Sequence, residues 1–145
     1  MFKFVFLQRW LLFVGVYLVF LGLFLAFFNQ SSLMNLLFNN NINPAFWGSN
    51  VSEEIIVKFQ SWIYGVLGAT ITGWGIFLVF IVHYPFRNLE LWSWNCILTG
   101  IVIWFIVDTA ISIHFGVSFN VLFNIVLLFM IGFPLVFSRK YFIKN

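Results

Sequence analysis

LWSWNCILTGIVIWFIVDTAISI, the stretch from Leu91 to Ile113, decides the fold. A helix of that length, at about 1.5 Å per residue, crosses a hydrocarbon core of about 30 Å. Trp92 and Trp94 stand at its entrance, where an amphipathic ring suits the membrane–water boundary. One side chain in the stretch is charged, Asp108. A carboxyl group inside such a helix is costly unless it faces protein, water or a partner. Asp108 therefore marks where a polar site would lie.

The flanking sequence agrees. Of 145 residues, 63% are hydrophobic and 8% charged, with a mean hydropathy of +1.05. A soluble domain is about half apolar and about a quarter charged. So short a chain cannot enclose that much apolar surface in a core of its own, and lipid must cover the rest. One membrane domain, residues 1–145, is predicted. The net charge of +3 is carried at span ends and not along one basic face, so no nucleic-acid partner is expected. Cys96 is the only cysteine, which excludes an intrachain disulfide.

Three further spans fall on either side. The first runs over about residues 10–28. Its apolar run is longer than the roughly 7–15 residues of a signal-peptide core, and Ala26-Phe27-Phe28-Asn29 offers no small-residue cleavage site. It is expected to be retained. The second covers about 59–84, with Pro85 expected to end it. The third, 91–113, leads into a tight turn with Gly116 as its left-handed position. The fourth covers about 118–137. The fold class is thus all-α, an integral membrane bundle of four transmembrane helices.

Residues 29–58 form the one substantial loop. Ser31-Ser32 caps a short amphipathic helix over Leu33, Met34, Leu36, Leu37 and Phe38, which is expected to lie along the interface. Asn39-Asn40-Asn41 and Asn43-Pro44 are expected to break it. Pro44 to Gly48 reads as a turn that presses Phe46 and Trp47 onto the membrane surface. Asn50-Val51-Ser52 matches a glycosylation sequon, a pattern short enough to arise by chance. Ser52, ahead of Glu53 and Glu54, reads as the cap of the second helix.

Charge sets the orientation. Alternating loops put Lys3, Arg9, Arg87, Arg139, Lys140 and Lys144 on one side and Lys58 alone on the other. The positive-inside tendency then makes both termini cytoplasmic, in a multi-pass protein of the cell's inner (plasma) membrane. Trp10, Trp92 and Trp94 fall at the inner boundary, and Trp47 and Trp62 at the outer.

Small residues predict packing. Gly65, Ala69 and Gly73 recur every four residues, with Gly68 and Thr72 beside them. Such a face lets helix backbones approach closely. It predicts that the second helix sits at the bundle centre and touches at least two others.

The orientation also permits a depth argument. Asp108 lies about 9 Å, and Tyr64 about 7 Å, from the outer ends of their helices. Asn120 and Asn124 stand one turn apart on the fourth helix, with Asn124 about 9 Å deep. Ser112 is one turn above Asp108, Trp104 one turn below, and Gln60 one turn above Tyr64. In hydrocarbon each of these polar groups needs a partner, and they are the partners available. The plainer reading is a structural hydrogen-bond cluster. The functional reading is a binding or proton-exchanging site in the outer leaflet.

Other chemistry finds no support. His83 and His114 fall at opposite faces, so they cannot share a metal or a haem. No HExxH, GxSxG or phosphate-cradling loop is present, and Gly65 to Gly75 lies within an apolar helix. Trp74 and Trp104 sit deep, where indoles more often pack a core than cage a cofactor. No enzyme activity, metal or cofactor is expected. Two function classes remain. The first is a non-enzymatic accessory or assembly protein, working with lipids and with a second copy or a membrane-protein partner. The alternative is a protein that binds or transports a small apolar or protonatable molecule at the Asp108 cluster.

Phe59 to Ala69, Gly73-Trp74-Gly75, Tyr84-Pro85-Phe86, Trp94 and Trp104-Phe105 to Asp108 together resemble a group of small, uncharacterised bacterial four-span membrane proteins. The general layout is similar, more loosely and without a diagnostic motif, to DoxX-like four-helix membrane proteins. Neither resemblance implies an activity or a functional residue.

Overall fold

A computed structural model describes residues 2–47 and 54–143, and no strand occurs among them. The sequon, the Ser52 cap, Glu53 and Gly48 lie outside the described residues, as does the side chain of Trp47. Four helices are long and apolar enough to cross a membrane. They are the first helix, Phe2–Phe28, the second, Glu54–Ile81, the third, Leu91–His114, and the fourth, Ser118–Phe142.

The first helix begins before residue 10, and the fourth runs on past residue 137. Lys3, Arg9, Arg139 and Lys140 extend the helices beyond their apolar windows, because long basic side chains can lay their stems on apolar surface while the charge reaches water. At this end Phe4 stacks on Phe86 with centroids 5.8 Å apart, and Phe142 packs against Phe86 at 4.9 Å. At the opposite end Phe38 meets Phe119 at 5.7 Å, and Phe46 meets Phe115 at 5.9 Å. The chain thus has a terminal end and a loop end.

Pro85 does not end the second helix. The backbone widens into a π-type turn over Val82–Phe86. That turn accommodates a ring which would otherwise clash with the carbonyl four residues back. The helix stops at Leu89, at φ 62°. There Glu90 N donates to Pro85 O and Leu89 N to Phe86 O, the two bonds that close a helix through a left-handed residue. Gly116, at φ 73°, ends the third helix by the same pair of bonds, Val117 N to Ser112 O and Gly116 N to Ile113 O.

The first helix, and not the second, is the hub. It packs against the second along its length, against the fourth, and against the Val82–Phe86 turn. Leu11 and Val14 on it have no exposed surface. The second helix meets the third chiefly through one aromatic pair, Trp74 and Trp104, with centroids 6.2 Å apart.

The glycine face is therefore shifted from its expected register. A Cβ on Gly22 would lie 2.5 Å from Gly68 O and from Thr72 N. One on Gly75 would lie 2.7 Å from Val19 N and 2.8 Å from Gly15 O. Gly68 and Thr72 do pack as expected, but their partners are Gly22 and Ala26 on the first helix, and Gly75 and Gly15 continue the seam. Gly65 only grazes Ala26 O at 4.0 Å, Gly73 has nothing within 4 Å, and Ala69 is exposed. The seam repeats every seven residues on both helices, Gly15 to Gly22 and Gly68 to Gly75, which keeps one face inward over two turns.

The fourth helix carries Pro134 in its interior. Proline has no N–H to give to the carbonyl four residues back, that of Met130. Trp10 on the first helix supplies the missing donor, with Nε1 2.9 Å from Met130 O. Nearby, Trp94 donates to Leu135 O at 2.9 Å, and the Arg139 guanidinium lies 4.1 Å over its ring. These contacts tie the fourth helix to the first and third.

Candidate functional site

The short loop helix forms, and Ser31 caps it by accepting from Met34 N at 3.2 Å. The asparagines that follow do not break it. The chain stays helical through Asn35–Asn39 and Asn40–Ile42, and Pro44–Trp47 adds a further turn. Buried Asn39 holds this shape by donating to Asn29 O at 3.3 Å and Asn35 Oδ1 at 2.6 Å. One face of the segment turns inward: Met34 is fully buried, while Leu33, Leu36 and Leu37 stay exposed.

Beneath this segment is a cavity of about 140 Å³. Met34, Phe38 and Ile42 close it at the loop end, Leu18 and Leu25 come from the first helix, and Tyr64, Ile71 and Trp74 from the second. Trp104 and Asp108 line it from the third helix, and Asn120, Phe123, Asn124 and Leu127 from the fourth. Its walls are almost wholly apolar, apart from one polar patch.

That patch is built around Asp108 Oδ1. Asn120 Nδ2 donates to it at 2.6 Å, Asn124 Nδ2 at 2.9 Å and Ser112 Oγ at 3.2 Å. The single Ser112 hydroxyl proton has a nearer acceptor, Asp108 O at 2.7 Å, as is common for serine one turn on in a helix. Asn120 Nδ2 also reaches Ser112 Oγ at 2.8 Å, and Asn124 Nδ2 reaches Thr109 Oγ1 at 3.2 Å. Asn124 is 1% exposed, and its own Oδ1 has no partner. None of these bonds uses Asp108 Oδ2.

The expected residues divide into two groups. Asp108, Asn120, Asn124 and Ser112 form one bonded cluster. Tyr64 lies across the same cavity, but its hydroxyl accepts from Gln60 Nε2 at 3.2 Å and makes no bond to Asp108. Gln60 faces the loop, where it donates to Asn43 Oδ1 at 2.6 Å. Trp104 lines the cavity edge-on to Trp74. Thr109 and the loop residues Met34, Phe38 and Ile42 are additions that sequence reasoning missed. Thr109 was within reach, as the neighbour of Asp108; the loop residues carry no periodic signal that points inward.

The cavity lies beside two lipid-facing grooves between the second and third helices. One, of about 610 Å³, is bordered by Trp74, Trp104, Val107, Asp108 and Ser112. The other, of about 320 Å³, runs toward the terminal end between Phe77, Leu78, Ile97 and Gly100. Trp74 borders the cavity and both grooves, and Asp108 borders the cavity and the larger groove. His83 and His114 fall at opposite ends, and among the described residues no group of metal-ligating side chains forms. Comparison with family models, with curated proteins and with solved structures finds no match for this chain.

Proposed function

We propose that this protein binds a small amphiphile within the membrane, with its polar end at Asp108 and its apolar body between the helices. The observation that carries this reading is an apolar cavity whose polar patch leaves two acceptor oxygens outside its bonds, Asp108 Oδ2 and buried Asn124 Oδ1. A cavity of about 140 Å³ is close to the size that accepts a benzene-sized group in a protein core. The grooves beside Trp74 and Trp104 supply the route by which a molecule dissolved in lipid reaches it. The reading is of a binding or carrier protein and not of an enzyme, because no nucleophile and base are paired in the cavity.

The alternative, an accessory protein that assembles through its glycine face, has less to stand on. Gly68 and Gly75 are already covered by the first helix. Gly73 and Ala69 remain as the surface for a second copy or another membrane protein. For location, the charge asymmetry supports a reading with the terminal end on the cytoplasmic side of the inner (plasma) membrane and the cavity in the outer leaflet.

The test is saturable binding. Protein in lipid nanodiscs is dialysed against radiolabelled 1-octanol, with empty nanodiscs as reference. A saturable component of about one molecule per chain is expected by this reading. Uptake that rises linearly and matches the empty discs would refute it.

A further inference from the structure

We propose that the head group taken by this cavity is a protonated amine, carried on a single alkyl tail; the inference rests on the binding reading above. Two side-chain amides converge on Asp108 Oδ1. Both amides give an N–H to that oxygen, so Oδ1 is held as an acceptor. The network thus fixes the Asp108 side chain by one oxygen and leaves Oδ2 for a ligand.

No described lysine, arginine or histidine lines the cavity or the adjoining groove. A lone carboxylate in hydrocarbon is costly, and a cation that enters with the ligand offsets that cost. The remaining walls favour the same chemistry. Trp74, Trp104, Tyr64 and Phe123 line the same cavity, and an ammonium ion is attracted to aromatic faces. Below them the groove between Phe77, Leu78, Ile97 and Gly100 is apolar and open to lipid, which fits one alkyl chain. An ammonium donates its proton to Oδ2, whereas a ketone or ester has no proton to give.

The test compares octylammonium, 1-octanol and 2-octanone in nanodiscs, against wild type and Asp108→Asn. Wild type should bind octylammonium at least about tenfold more tightly than octanol, and ketone least. Asp108→Asn keeps an oxygen for Asn120 and Asn124, so it should retain octanol binding while losing about tenfold or more for the amine. The wild-type order of affinities stands on its own if the variant does not fold. Octanol bound as well as octylammonium, or ketone bound best, overturns the amine assignment and leaves the binding reading standing. Saturable binding of none of the three overturns both.

Discussion

Replacing Gly22 by alanine tests the seam between the first and second helices. The added methyl would sit 2.5 Å from Gly68 O, Thr72 N and Thr72 Oγ1. Ordinary contact between such atoms is about 3.5 Å, so the two backbones must part locally by about 1 Å. Two of the three atoms are backbone and cannot rotate away. Overpacking of this kind costs about 1–3 kcal/mol, and the better helix preference of alanine returns up to about 1 kcal/mol. A net loss of about 1–2 kcal/mol is expected. Gly73→Ala is the matched control. Nothing lies within 4 Å of its added methyl, so it should be neutral or stabilising by up to about 1 kcal/mol. Reversible unfolding in mixed micelles, with SDS as denaturant and tryptophan fluorescence as readout, measures both. Equal shifts for the two variants would refute the seam, and a larger loss at Gly73 would restore the register expected from the second helix alone.

The other predictions concern separate parts of the molecule. Trp10→Phe should cost about 1–3 kcal/mol by leaving Met130 O unpaired, and much less in a Pro134→Ala background, where an alanine N–H can fill that bond; additive effects in the four-way cycle would disprove the substitution of one donor for another. Gly116→Ala meets no neighbour within 4 Å but must hold φ at 73°, so a loss of about 1 kcal/mol in the same unfolding assay is expected from backbone strain alone. Asp108→Leu removes the common acceptor of Asn120 and Asn124, which keep only Ser112 Oγ and Thr109 Oγ1, and should destabilise by about 1–3 kcal/mol in all, whereas Asp108→Asn should unfold close to wild type. For orientation, cysteine placed at exposed Asn88 should react with an impermeant maleimide only from the cytoplasmic side, and cysteine at exposed Gln30 only from outside; the reverse pattern would invert the topology.

The spans and the polar cluster were legible because each rests on a rule that acts one helix at a time. Hydrocarbon thickness sets the length of a span, and counting turns from its end gives the depth at which Asp108, Asn120 and Asn124 meet. What failed depends on two helices at once. Gly65, Gly68, Ala69, Thr72 and Gly73 all offer a small surface, and nothing in the second helix says which of them faces inward. The choice is made by Gly15 and Gly22 on the first helix, which sets the register at Gly68 and Gly75. Pro85 and the asparagines after Phe38 misled for a related reason. Local preference for a break was overridden, in one case by a widened turn and in the other by buried amide bonds from Asn39. The loop residues over the cavity were hidden because their inward face is set by docking on Tyr64 and Leu25, with no repeat along the sequence.

The contacts divide the molecule like an open book. Its spine is the meeting of the first and fourth helices, stitched by Trp10 to Met130, and its covers are two stiff hairpins. The free edges are the second and third helices, joined at the terminal end through the Val82–Phe86 turn and elsewhere meeting chiefly through one pair of indoles. Turning the covers about the spine changes the width of the free edge far more than it disturbs the glycine seam. The seam between the second and third helices is therefore the one that a sideways load would part with least loss of contact. A change of lateral pressure in the surrounding leaflet would bear first on that seam, so lipid composition would act on this protein as a load as well as a solvent.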